Sequence, residues 1–64
     1  MTNEEKMSWI TSIEYCADRI AKELGDGVVE SALAYYGAKC IDDLRPSQYS
    51  EVFNALSAIE ADMD

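Results

Sequence analysis

The chain has 64 residues, 48% of them hydrophobic, and a formal net charge of −8 from 13 acids against 5 bases. That length allows one domain, and apolar residues recurring at helical spacing exclude disorder. The acidic balance excludes a large basic patch for nucleic acid and disfavours an anionic membrane surface.

The first helix is predicted over about Asn3 to Leu24. Thr2 is its N-cap, Glu5 follows three residues later as a capping box requires, and Gly25 stops it. A step of about 100° per residue puts Trp9, Ile10, Ile13, Cys16, Ala17, Ile20, Ala21 and Leu24 on one apolar face. The opposite face holds Ser8, Thr11, Ser12, Tyr15, Arg19 and Lys22. The second helix is predicted over residues 27–36, with Asp26 as its cap and Gly37 as its stop. Val28, Val29, Ala32, Leu33 and Tyr36 share its apolar face, and Tyr35 sits at the edge.

Residues 38–45 read as a connector with one helical turn near 41–44, which would tuck Ile41 and Leu44 inward. Asp42 and Asp43 then occupy a first turn, where the helix dipole favours acids. The last helix is predicted from Pro46 to about Ala61, with Tyr49, Val52, Phe53, Leu56, Ile59 and Met63 as its stripe. No alternating run signals a strand. Three stripes with short connectors predict an all-α, compact three-helix domain over residues 1–64. A chain this short buries only about 60% of its unfolded surface, so the core is thin.

Two charges interrupt the pattern. Lys6 falls inside the stripe of the first helix, and Glu60 beside that of the last. One reading puts both near helix ends, where long stems reach water. The sharper one runs the two helices antiparallel so that the charges meet.

The chain has no histidine, so the usual nucleophile–base dyads and triads cannot be built. Its two cysteines, Cys16 and Cys40, form no CxxC pair and cannot close a structural zinc site. Cys16 reads as a small hydrophobe on the core face, and Cys40 as a loop-packing residue ahead of a redox one. The pairs Glu4–Glu5 and Asp42–Asp43 point about 100° apart on a helix and do not converge, so they read as solvated acids. No phosphate loop, calcium loop or dinucleotide fingerprint occurs. The expectation is a non-enzyme with no cofactor and no metal. An acidic start at Glu4 and Glu5 lacks a signal-peptide pattern, and no apolar run approaches the ~20 residues of a membrane span, so the cytoplasm is the expected compartment with both thiols reduced.

Tyr15 is the residue out of place. It stands in the middle of a polar face with Thr11 and Arg19 one turn away, and tyrosine suits interfaces because it buries area at low entropic cost. Isolated exposed aromatics are also common and carry no function. Tyr15, Arg19, Trp9 and Tyr35 are the candidate partner-binding residues, with Trp9 at the border of the core arc and Tyr35 at the rim of its helix.

The run WITSIEYCADRIAKE (9–23), followed by ALAYYGAKCIDDLRPSQYSEVFNALSAIEAD (32–62), resembles the small acidic accessory proteins encoded on conjugative transposons of Gram-positive bacteria. IEYCADRIAKEL (13–24) is its most distinctive part. The stretch YGAKCIDDLRPSQYSEVFNAL (36–56) is also similar to a helical tail module of some phage recombination proteins. The resemblance implies a mobile-element accessory protein in the host cytoplasm and supplies no activity, cofactor or functional residue to carry over. Some members bear an rRNA-biogenesis label, for which this chain shows nothing basic.

Two functions are therefore expected. The first is a protein-interaction module of a mobile element, with weak self-association because added burial stabilises so small a domain. The alternative is an acidic DNA-mimic decoy that occupies a basic host nuclease or regulator through its charge. A small redox protein using Cys16 or Cys40 is a distant third.

Overall fold

Local chemistry sets the helix ends. The Glu5 N–H donates to Thr2 Oγ1 at 3.2 Å, and the Thr2 hydroxyl lies 3.3 Å from the Glu5 carboxylate. The cap is thus made by the two expected residues, although the carboxylate takes the threonine hydroxyl instead of the backbone N–H of a full capping box. The computed structural model describes residues 2–63. Within them α1 spans Asn3–Leu24, α2 Asp26–Tyr35 and α3 Tyr49–Met63, with short 3-10 turns at Ile41–Asp43 and Pro46–Gln48. Among the described residues there is no strand, and the architecture is an all-α three-helix domain.

Gly25 is the whole corner between α1 and α2. Its φ of 95° and ψ of 158° belong to a region open essentially to glycine alone. Its N–H still reaches the Ala21 carbonyl at 2.9 Å. This corrects the expected cap of α2: Asp26 is already helical, Gly25 holds the N-cap position, and no side chain caps that end. Asp26 instead places its charge in the first turn, where the dipole favours it.

The end of α2 is a Schellman motif. The Ala38 N–H donates to the Leu33 carbonyl at 3.0 Å, the Gly37 N–H to Ala34 at 2.9 Å, and Gly37 takes φ 76°. Leu33 and Ala38, the apolar pair this motif brings together, are both buried. The connector is then pinned at two places. Asp43 Oδ2 accepts from the Lys39 N–H at 3.2 Å, and Gln48 Nε2 donates to the Tyr36 carbonyl at 3.1 Å. Leu44 is buried and Ile41 half-buried, as their spacing predicts. Pro46 opens a single 3-10 turn, and regular α-helical bonding begins only at Tyr49.

The direction of packing follows from two contacts. Trp9 meets Phe53 edge-to-face at 5.9 Å, and Arg19 meets Glu60 at 3.1 Å. Partners therefore ascend together along both helices, and α1 and α3 run parallel. This overturns the antiparallel reading. Lys6 lies in the first turns of α1 and Glu60 near the end of α3, so they cannot pair; Lys6 is exposed and Arg19 takes the Glu60 carboxylate. A parallel pair needs a crossover, which α2 and the connector provide.

Ile13, Ile20, Val52 and Leu56 have no exposed surface and Tyr49 has 1%; Cys16, Ala17, Leu33, Ala38 and Leu44 complete the buried core. Trp9, Ile10, Phe53, Ile59 and Met63 pack around it, half-buried. Leu24 departs from its expected place on the buried face: it is the last residue of α1, at the Gly25 corner, and is 51% exposed.

The Tyr49 hydroxyl is buried without a hydrogen-bond partner. An unsatisfied buried polar group costs about 1–3 kcal/mol. Tyr49→Phe removes that group and keeps the ring, so it is expected to raise stability by about 1 kcal/mol. Thermal unfolding of the variant checks this; a fall in Tm would show that the hydroxyl has a partner.

Candidate docking face

α1 is 22 residues long, about 33 Å at 1.5 Å per residue, and the long dimension of the molecule is 32 Å. The shorter helices pack on one side of it, so its outer face is left as a ridge. Tyr15 stands on that ridge, 71% exposed.

Two open, largely apolar grooves flank it. The first, of about 640 Å³, runs between α1 and α3. Thr11, Ser12, Tyr15 and Cys16 form one wall; Phe53, Ser57, Glu60 and Ala61 form the other. A smaller hollow bounded by Glu5, Ser8, Trp9, Ser12 and Phe53 continues it toward the start of α1. The second groove, of about 650 Å³, lies between α1 and α2. Thr11 and Tyr15 border this one as well, so the tyrosine is shared by both.

Two of the four candidate residues line these hollows, and a third reaches the first groove through Glu60. Trp9 is half-buried against Phe53 and lines the hollow. Tyr15 is the ridge. Arg19, 48% exposed, lines neither groove but pairs with Glu60 in the wall of the first. Tyr35 is not brought in. It is 84% exposed on α2, meets the neighbouring Tyr36 ring edge-on at 5.1 Å, and borders neither groove. The sequence pattern missed the α3 wall. Ser57 and Ala61 are small residues one turn apart, and Glu60 interrupts its stripe; that interruption was the available signal.

Glu60 is the electrostatic centre of the first groove. Its side chain is only 15% exposed and pairs with Arg19. Its negative charge also acts on the Cys16 thiol across the groove wall. Burial, then the hydrogen bond and negative charge of Glu60, push the Cys16 thiol up from 9.0 to about 11, against smaller opposing effects of Ser57 and Arg19. A thiol held protonated is a poor nucleophile, and Cys16 stands in the groove wall as a buried thiol. Two results are expected. At about pH 8 an alkylating reagent should modify exposed Cys40 and spare Cys16 until the chain unfolds. The fold also binds this proton more tightly than the unfolded chain does. Its contribution is thus complete below about pH 9 and is lost as pH rises toward about 11, by up to about 3 kcal/mol. Urea melts of the chain and of Cys16→Ala across that range read the difference; equal slopes would contradict it.

Among the described residues no three metal-ligating side chains converge, and no helix is long and apolar enough to cross a membrane. No family model, curated protein or solved structure matches the chain.

Proposed function

We propose that the chain is a non-enzymatic protein-interaction module that docks a partner on the outer ridge of α1. The observation that carries this reading is Tyr15: a large aromatic, 71% exposed, at the common border of two apolar grooves. Aromatic side chains beside apolar hollows are what interface hot spots are made of. The resemblance to conjugative-transposon accessory proteins supplies the setting, a mobile element in a host cytoplasm. Weak self-association belongs to the same reading, since the α1–α3 groove offers apolar surface for a second copy to cover.

The acidic decoy is the second reading. It is favoured by the charge of −8 and by Glu14, Asp18, Asp26 and Glu30 around the α1–α2 groove. Lys22, 3.4 Å from Asp18, and Arg19 interrupt any continuous phosphate-like array.

Affinity capture from nuclease-treated host lysate carrying the element tests both. Washes at about 50 mM and 500 mM salt span weak to strong screening. A partner retained at high salt supports the docking module; a basic nucleic-acid-binding protein released by salt supports the decoy.

A further inference from the structure

The α1–α2 groove has a chemical pattern that selects its occupant. Its apolar part is Ala17, Ala21, Val29 and Ile41. Ala17 and Ala21 are one turn apart, and their small side chains let another backbone approach α1 closely. The acids are ordered as well. α1 contributes Glu14 and Asp18, four residues apart; α2 contributes Asp26 and Glu30, also four apart. Residues four apart on a helix are neighbours about 5–6 Å from each other. The apolar strip is thus accompanied by two rows of exposed carboxylates, each with a one-turn repeat, one row on each helix. Among the described residues Lys22 counters them through a 3.4 Å pair with Asp18, in which both side chains are at least 70% exposed. Such pairs are weak and exchange readily.

We infer that this groove receives a basic amphipathic helix of a partner protein, apolar stripe inward and Lys or Arg along its flanks. An amphipathic helix repeats its side chains every turn, so its flanking cations fall opposite carboxylates that repeat in the same way. A second copy of this chain is a poor occupant, because its own surface is acidic. A nucleic acid is repelled by the same charge. The inference rests on the docking ridge proposed above and names the partner's chemistry there.

The test uses the full chain and a synthetic helical peptide of about 18 residues, roughly 27 Å long, with a Leu stripe flanked by Lys at one-turn spacing. A scrambled peptide of the same composition is the control. Isotope-labelled chain is titrated with each, and amide shifts give both the affinity and the footprint. The patterned peptide is expected to bind about tenfold more tightly than the scrambled one, because only it presents the apolar stripe and the cations together. Its footprint should fall on Ala17, Ala21, Val29 and Ile41. The double variant Glu14→Gln, Glu30→Gln, both at exposed positions, should weaken it about fivefold without changing Tm. Equal binding of the scrambled peptide, or a footprint on Phe53 and Ser57, overturns the inference. The captured natural partner separates this from the ridge itself. A partner lost on Tyr15→Ala but indifferent to the double variant leaves the docking ridge standing and removes the basic helix; a partner indifferent to both removes the two together.

Discussion

Leu56→Ala is expected to lower stability by about 3 kcal/mol, within a range of about 2–5. Leu56 has no exposed surface and sits in the core where α3 meets α1. Truncation removes the transfer free energy of its methyl groups and leaves a cavity. The neighbours Ile13, Ile20, Val52 and Tyr49 are themselves buried, so they have little freedom to fill it. The size of the effect matters because the domain is small. At the usual stability per residue, a chain of this length has about 3–10 kcal/mol in total. One core truncation therefore removes a large fraction of the folded population at physiological temperature. Urea unfolding followed by circular dichroism measures the loss. Met7→Ala, at a 67% exposed position of α1, is the control and should stay within about 0.5 kcal/mol. A cost for Leu56→Ala under about 1 kcal/mol would mean that the α1–α3 contact is looser than described.

Tyr15→Ala is expected to do the reverse, sparing stability and abolishing docking. The side chain is 71% exposed, so its removal should change the unfolding free energy by less than about 0.5 kcal/mol. Partner affinity should fall about 30-fold or more, the equivalent of about 2 kcal/mol for a hot-spot aromatic. Tyr35→Ala is the matched comparison. That ring is more exposed still, at 84%, but borders neither groove, and its loss should leave affinity unchanged. The two variants remove the same chemistry from two places, so a difference between them reports position.

Much of the fold was legible because helix ends are set locally. Thr2 with Glu5, Gly25 and Gly37 are short-range devices, and the structure uses each of them. The buried stripe of α1 from Ile13 to Ile20 follows from spacing alone. The relative direction of α1 and α3 was not legible. It depends on the path of residues 36–48, fixed by contacts such as Gln48 with the Tyr36 carbonyl that no periodicity reveals. The partner of Glu60 went with it: a misfit acid can be read from the pattern, but whether Lys6 or Arg19 answers it is a question of packing direction. The unpaired Tyr49 hydroxyl was hidden for a similar reason, since spacing ranks tyrosine as apolar and says nothing of its oxygen. At the candidate site, Tyr15 was visible as an aromatic on a polar face. The grooves beside it were not, because each needs a wall from another helix.

The most direct test of the docking ridge is capture of partners from nuclease-treated lysate by three chains of equal fold stability: the unmodified protein, Tyr15→Ala and Tyr35→Ala. Washing at about 500 mM salt shortens the screening length to a few ångströms and strips contacts held by charge alone. A partner retained by the unmodified chain and by Tyr35→Ala, and lost by Tyr15→Ala, is the predicted result. Equal retention by all three chains would contradict it.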